Sequence, residues 1–327
     1  MKVHPHDQHL QRILWRNTPD EPIGTYELTT VTYGTASAPY LATRCLAQLG
    51  SEGAATHQRA AKALEEDFYV DDMLTGTDSI EDGKLLIREM RELTDSRGFS
   101  LRKWASNERG LLAELPNHLL DERIMLELGS SSSHVKTLGL LWKPRSDCFL
   151  FRFPNWNNNP PITKRIVLAD AARLFDPLGL IGPVVVQAKI FLQQLWKQKT
   201  DWDEPLNEEL QSYWLEYRRN LMTLDSFSIP RWTGYSRTKT KLEIHGFCDA
   251  SEAAYGACIY LRSTSVDGTI TTRLVTSKSK VAPLEDLSRK KKKQSIPRLE
   301  LSSALILSHF HEKVCSSIQS LGDSAHN

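Results

Sequence analysis

No run of eighteen uninterrupted apolar residues occurs in this 327-residue chain, and its opening MKVHPHDQHL has no apolar core of the kind a secretory signal carries. The expectation is a chain without membrane association that works inside the cell, in cytoplasm or nucleus. Cysteine is sparse. Cys45, Cys148, Cys248, Cys258 and Cys315 show no CxxC spacing, which argues against a zinc site and a disulfide framework and leaves them as small core residues. An excess of one charge sign is missing too. With 41 Lys+Arg against 40 Asp+Glu the formal net charge is +1, so any nucleic-acid binding has to come from local patches. No fixed-period repeat is visible, which excludes a solenoid.

What is present is globular in kind. Forty per cent hydrophobic and 25% charged residues sit near the averages for folded domains, and the length suits two or three of them. Residues 23–33 (IGTYELTTVTY) have strand composition, and 37–49 carry apolar residues at helical spacing with Pro39 in the first turn. Residues 66–74 (EDFYVDDML) suggest a hairpin, 80–93 a helix stopping before Gly98, and 99–104 a strand. The GSSSS run ending at Ser133 suggests a surface loop before two further strands, 135–142 and 148–153. The punctuation NWNNNPP at 155–161 suggests a domain boundary.

Three helices follow, over 163–175, 182–199 and 206–223, with Trp196, Trp202 and Trp214 in the last two or their connection; tryptophans so placed more often fill cores than stack on bases. Strand alternation returns at 242–247, 254–261 and 271–276, and a last helix is expected over 297–314.

Two consecutive carboxylates in an apolar stretch need an explanation, because an unpaired buried charge is costly unless a cation offsets it. At a hairpin tip, Asp71 and Asp72 can both face a divalent ion, for which carboxylate oxygens are suitable ligands; a solvated turn with two exposed acids is the plainer alternative. Tyr69, Val70, Asp71 and Asp72 together resemble the YxDD motif of reverse transcriptases. Three further segments resemble that family in its order: YGTASAP at 33–39, GFSLRK at 98–103 and VKTLGLLW at 135–142. In wording, WRNTPDEPIGTYELTTVTYGTASAPYLATRCL and RLFDPLGLIGPVVVQAKIFLQQLW are similar to Bel/Pao retrotransposon polyproteins, over nearly the whole chain.

The resemblance implies a polymerase site with Asp71 and Asp72 as ligands of Mg²⁺ (or Mn²⁺). Lys103 would assist pyrophosphate departure, with an exposed strand lysine as the alternative. It also implies nucleic-acid contacts at Tyr33, Gly34, Tyr69, Leu140 and Trp142. Downstream, Asp249 after a strand and Glu300 in IPRLEL resemble the first two metal ligands of ribonuclease H; a strand-end acid and a helix-capping acid are the alternative. The third palm aspartate of the family would fall upstream of Met1, and its next ribonuclease H carboxylate beyond Glu300, where Asp323 has no strand around it. The run SRKKKKQ at 288–294 sits where the family has a short connection; it reads as a solvated insertion, a phosphate contact or a localisation patch. Residues 134–284 also resemble a segment classed as the Pao retrotransposon peptidase. Asp249, Ala250 and Ser251 make one poor match to the paired D-T/S-G turns such chemistry needs, and no second occurs, so that reading ranks last.

The expected architecture is a multidomain α+β and α/β chain. A reverse transcriptase palm with mixed sheet and helices spans 1–154, a helical thumb or connection 155–238, and the truncated sheet plus helix of a ribonuclease H-like domain 239–327. The expected function is RNA-directed DNA polymerase and ribonuclease H ancestry, incomplete in this chain alone. Expected partners are an RNA/DNA hybrid or primer-template and deoxynucleoside triphosphates. The rival is a degenerate or domesticated nucleic-acid-binding protein without turnover.

Overall fold

The computed structural model describes residues 1–122, 134–153, 156, 161–236, 240–284 and 294–323. The GSSSS run, most of NWNNNPP and nearly all of the SRKKKKQ run lie outside the described residues. The chain divides into two compact units, Met1–Ser133 and His134–Asn327. The division falls about twenty residues before the boundary expected near 155. No helix among the described residues is long and apolar enough to cross a membrane.

In the first unit, β1 (Arg12–Trp15) and β2 (Gly24–Glu27) pair antiparallel from Arg12↔Glu27 to Trp15↔Gly24. The strand expected over 23–33 is therefore short. Its partner RILW has no alternation that would announce it. Helix α1 (Ala38–Gly53) has Pro39 in its first turn, where the missing N–H costs nothing. It packs with α2 (Gln58–Glu66) and α3 (Ile80–Asp95), burying Leu46, Leu49, Ala60, Ala63, Leu64, Leu86, Met90 and Leu93 in one cluster. Ser79 caps α3: its hydroxyl oxygen accepts the Asp82 N–H at 3.0 Å and donates to the Asp82 carboxylate at 2.8 Å.

Between α2 and α3 lies the hairpin of β3 (Phe68–Tyr69) and β4 (Asp72–Met73). The strand expected over 99–104 is not there. Trp104 makes a single parallel bridge to Leu120, and Lys103 at φ 59° breaks any extended run. The short α4 (Arg109–Leu112) follows.

The second unit opens with a four-stranded antiparallel sheet in the order β5 (Val135–Thr137), β6 (Leu140–Lys143), β7 (Cys148–Leu150), β8 (Ser228–Pro230). The strand expected over 135–142 is thus two strands. The chain reverses at Leu138 and Gly139, whose φ values of 49° and 82° suit a two-residue hairpin turn. The three expected helices are present as α5 (Lys164–Ala172), α6 (Gly182–Lys197) and α7 (Glu208–Thr223). They bury Val167, Ala188, Phe191, Leu195, Trp214 and Leu221 together. Within that core Asp170 accepts hydrogen bonds from Trp214 Nε1 and from Nε and Nη2 of Arg218 at 2.9, 2.9 and 2.6 Å, so each charge is matched where water is excluded. Trp214 stacks on Phe191 and Tyr217, as expected of a core tryptophan.

A second sheet has the order β11 (Ile270–Val281), β10 (Ala254–Ser265), β9 (Thr240–Ala250), all antiparallel, and α8 (Ile296–Asp323) packs on one face of it. These strands and the helix are longer than the sequence suggested. The helix lays Leu299, Ser303 and Ile306 over Ala257, Ile259 and Leu261 of β10, all of them buried. Gly246 on β9 makes room for this approach: a Cβ there would come within 2.6 Å of a Leu307 methyl, which would have to shift. At the far edge, Ser277 of β11 donates its N–H to Leu178 O at 2.9 Å and its hydroxyl to Gly179 O, joining the helices to the sheet.

Candidate nucleic-acid-processing sites

The YVDD segment forms a hairpin, as its sequence suggests. Phe68 pairs with Met73 and Tyr69 with Asp72, so Val70 and Asp71 make the two-residue tip, and Val70 takes φ 59°. For a β-branched side chain that conformation is strained. Asp71 and Tyr69 are exposed and Asp72 is half-buried. Tyr33 is 95% exposed just before α1, and Gly34 takes φ 85° with open space around it. Lys103 is exposed. Leu140 and Trp142 lie on β6 of the second unit, where the Trp142 indole N–H donates to Asp147 at 2.9 Å and the Arg231 guanidinium sits 5.4 Å over the ring. That indole is engaged within its own sheet.

Asp249 is exposed on β9, one residue before the strand ends, with Gly256 directly across from it on β10. Glu300 is exposed in the second turn of α8. It stands seven residues before Leu307, the side chain that meets Gly246, and so on the side of the helix that overhangs β9. Among the described residues no group of three or more His, Cys, Asp or Glu side chains is gathered as for a metal ion. Asp71 and Asp72 adjoin at the hairpin tip, whereas Asp249 and Glu300 stand on packed neighbouring elements, Asp249 on the face of β9 turned away from α8.

One feature of β9 escapes a reading by motif. Strand alternation puts Lys241, Glu243, His245, Phe247 and Asp249 on one face, away from α8. Glu243 there has three basic side chains as neighbours: Arg262 at 3.1 Å, His245 at 3.2 Å and Lys241 at 3.6 Å. Hydrogen bonding from His245, with the charges of Arg262 and Lys241, holds the Glu243 carboxyl below its ordinary range. Beside it Phe247, 58% exposed, meets Tyr260 edge to face at 6.0 Å. The signal was the alternation itself, in which TKLEIHGFCDA places charged and aromatic residues at every second position.

A three-stranded antiparallel sheet with a long helix across one face, a carboxylate on its edge strand and another on the helix is compatible with a ribonuclease H-like domain. Residues 163–325 match the family described as Pao retrotransposon-like RNaseH-like domain, and this supports a Bel/Pao retrotransposon origin. The match begins later than the expected 134–284 segment, and its description is of an RNaseH-like domain rather than a peptidase. No curated protein matches the chain.

Proposed function

We propose that the chain is part of a retrotransposon polyprotein, with a reverse transcriptase palm at the origin of the first unit and a ribonuclease H-like nuclease at the origin of the second. Its partners are an RNA/DNA hybrid or primer-template and, for polymerisation, deoxynucleoside triphosphates. The reading rests above all on the match over 163–325, within which Asp249 and Glu300 stand on packed elements. The hairpin carrying Tyr69, Val70, Asp71 and Asp72 supports the polymerase half.

Mg²⁺ is commonly held by one or two carboxylates together with substrate phosphates and water, and acid pairs suit that mode. Asp71 and Asp72 would hold Mg²⁺ or Mn²⁺ in one unit; in the other, Asp249 and Glu300 are the candidate ligands, although the alternation of β9 turns Asp249 to the face away from α8. Such an ion supplies charge stabilisation for the reacting phosphoryl oxygens. Asp71 at the exposed tip is accessible to a primer end, and Lys103, also exposed, is a candidate proton donor to departing pyrophosphate.

Primer extension and cleavage of a hybrid in Mg²⁺ or Mn²⁺, run on the native chain, Asp71→Ala and Glu300→Ala, test this. Whatever extension the native chain supports should fall at least a hundredfold in Asp71→Ala alone, and whatever cleavage it supports at least a hundredfold in Glu300→Ala alone. Equal background in all three would overturn the enzymatic reading and leave the non-catalytic nucleic-acid binder.

A further inference from the structure

We infer that the face of β9 turned away from α8 is a binding track for a nucleic-acid strand, with a base-stacking seat at Phe247 and Tyr260 beside Asp249. The inference deepens the ribonuclease H-like reading by naming what lies next to its carboxylate, and it rests on that reading for the choice of nucleic acid as occupant.

Three observations carry it. The first is order along the strand. Lys241, Glu243, His245, Phe247 and Asp249 succeed one another on one face, so the track runs from cationic groups through an aromatic to a carboxylate. Same-face neighbours on a strand stand about 6.5–7 Å apart, comparable to the phosphate-to-phosphate step of an extended nucleic-acid strand. A base stacked on Phe247 therefore leaves its adjoining phosphodiester near Asp249.

The second is charge. Lys241 and Arg262 flank the single acid Glu243, with His245 beside it, so this end keeps a net positive charge suited to phosphate from Lys241 and Arg262 alone, even though the chain as a whole is nearly neutral. The third is shape. His245, Phe247, Tyr260, Arg262 and Thr272 line a shallow groove of about 410 Å³, and more than half of Phe247 is exposed. Exposed aromatics between cationic side chains on an open sheet are the arrangement by which single strands are bound through stacking with little sequence preference. Gly256 opposite Asp249 leaves that end of the face without a side chain on the neighbouring strand.

The test uses the full chain and fluorescein-labelled twelve-nucleotide oligo(U) and oligo(dT), with anisotropy read at several salt concentrations, for the native protein, Phe247→Ala, Phe247→Trp and Asp249→Asn. Saturable binding is expected, weakened about tenfold or more in Phe247→Ala, kept in Phe247→Trp, and kept or strengthened in Asp249→Asn. Native-like affinity in Phe247→Ala, or no saturable binding by the native chain, would overturn the track. A shift in sedimentation of Phe247→Ala toward smaller species, with unchanged oligonucleotide affinity, would also overturn it, by assigning the face to contact between protein copies. The nuclease reading fails separately: if the hybrid is never cleaved while binding still depends on Phe247, the track stands and the chemistry falls.

Discussion

At the scale of single residues, the motif acids were legible and the buried polar partners were not. Adjacent carboxylates announce themselves in YVDD, whereas Asp170 and Arg218 are 48 positions apart and meet only once α5 and α7 are packed. Asp176 is a similar case. Its carboxylate accepts the N–H groups of Leu180 and Ile181 at 2.8 and 2.9 Å at the start of α6, yet burial pushes the carboxyl above its ordinary 3.8 in spite of those bonds. The folded chain thus holds this proton more tightly than the unfolded chain does. Asp176's contribution to stability is in full force below the ordinary carboxyl value and is lost as pH rises through the raised one. Asp176→Asn does not titrate and keeps one acceptor oxygen, at the cost of one of the two bonds, because the Leu180 and Ile181 N–H groups go to different carboxylate oxygens. Its urea midpoint should gain on the native midpoint as pH is raised through the window above 3.8, then run level; parallel curves throughout would contradict the argument.

At the scale of elements, the sequence foretold what periodicity controls. Helices α1, α3, α5, α6 and α7 each carry an apolar stripe and begin or end at a cap, proline or glycine, and each is found within a few residues of its expected place. Errors came where a positive φ interrupted an otherwise extended composition: at Lys103, which dissolves the strand expected over 99–104, and at Leu138 and Gly139, which fold 135–142 back on itself. Leucine at such a φ gives no warning. The Asp176–Gly179 turn shows the same device used for docking. Gly179 takes φ 73°, and a Cβ there would run into the Ser277 carbonyl of β11, beside the bond from Ser277 N–H to Leu178 O. Gly179→Ala should cost about 2–3 kcal/mol, the sum of left-handed strain and a lost hydrogen bond. Gly268→Ala, at φ 84° with open space around it, should cost about 1 kcal/mol from strain alone. Thermal unfolding of both reads the difference, and equal losses would mean that the turn does not hold the sheet.

At the scale of the whole molecule, the near balance of charge was plain in the sequence, but which basic side chains gather was not, because Lys241, His245 and Arg262 come together through strand register. That grouping sets a number. Two phosphate contacts on a single strand, at Lys241 and Arg262, give a slope of log affinity against log salt of about −1.4. A slope steeper than about −4 would move the contact to other lysines, such as those of 288–294. The two compact units part near 133 rather than near 155, because β5 to β7, which precede the NWNNNPP punctuation, pair onward to β8 across 78 residues of chain, from Leu150 to Ser228.

Strand β9 has one further consequence. It is the outermost of its three, eleven residues long, and along its far side no described strand takes up the main-chain amides and carbonyls. Such a border is a template on which an extended peptide can add itself. The lysine at its start, projecting from an otherwise inviting margin, is the sort of residue that keeps stray polypeptides from stacking there.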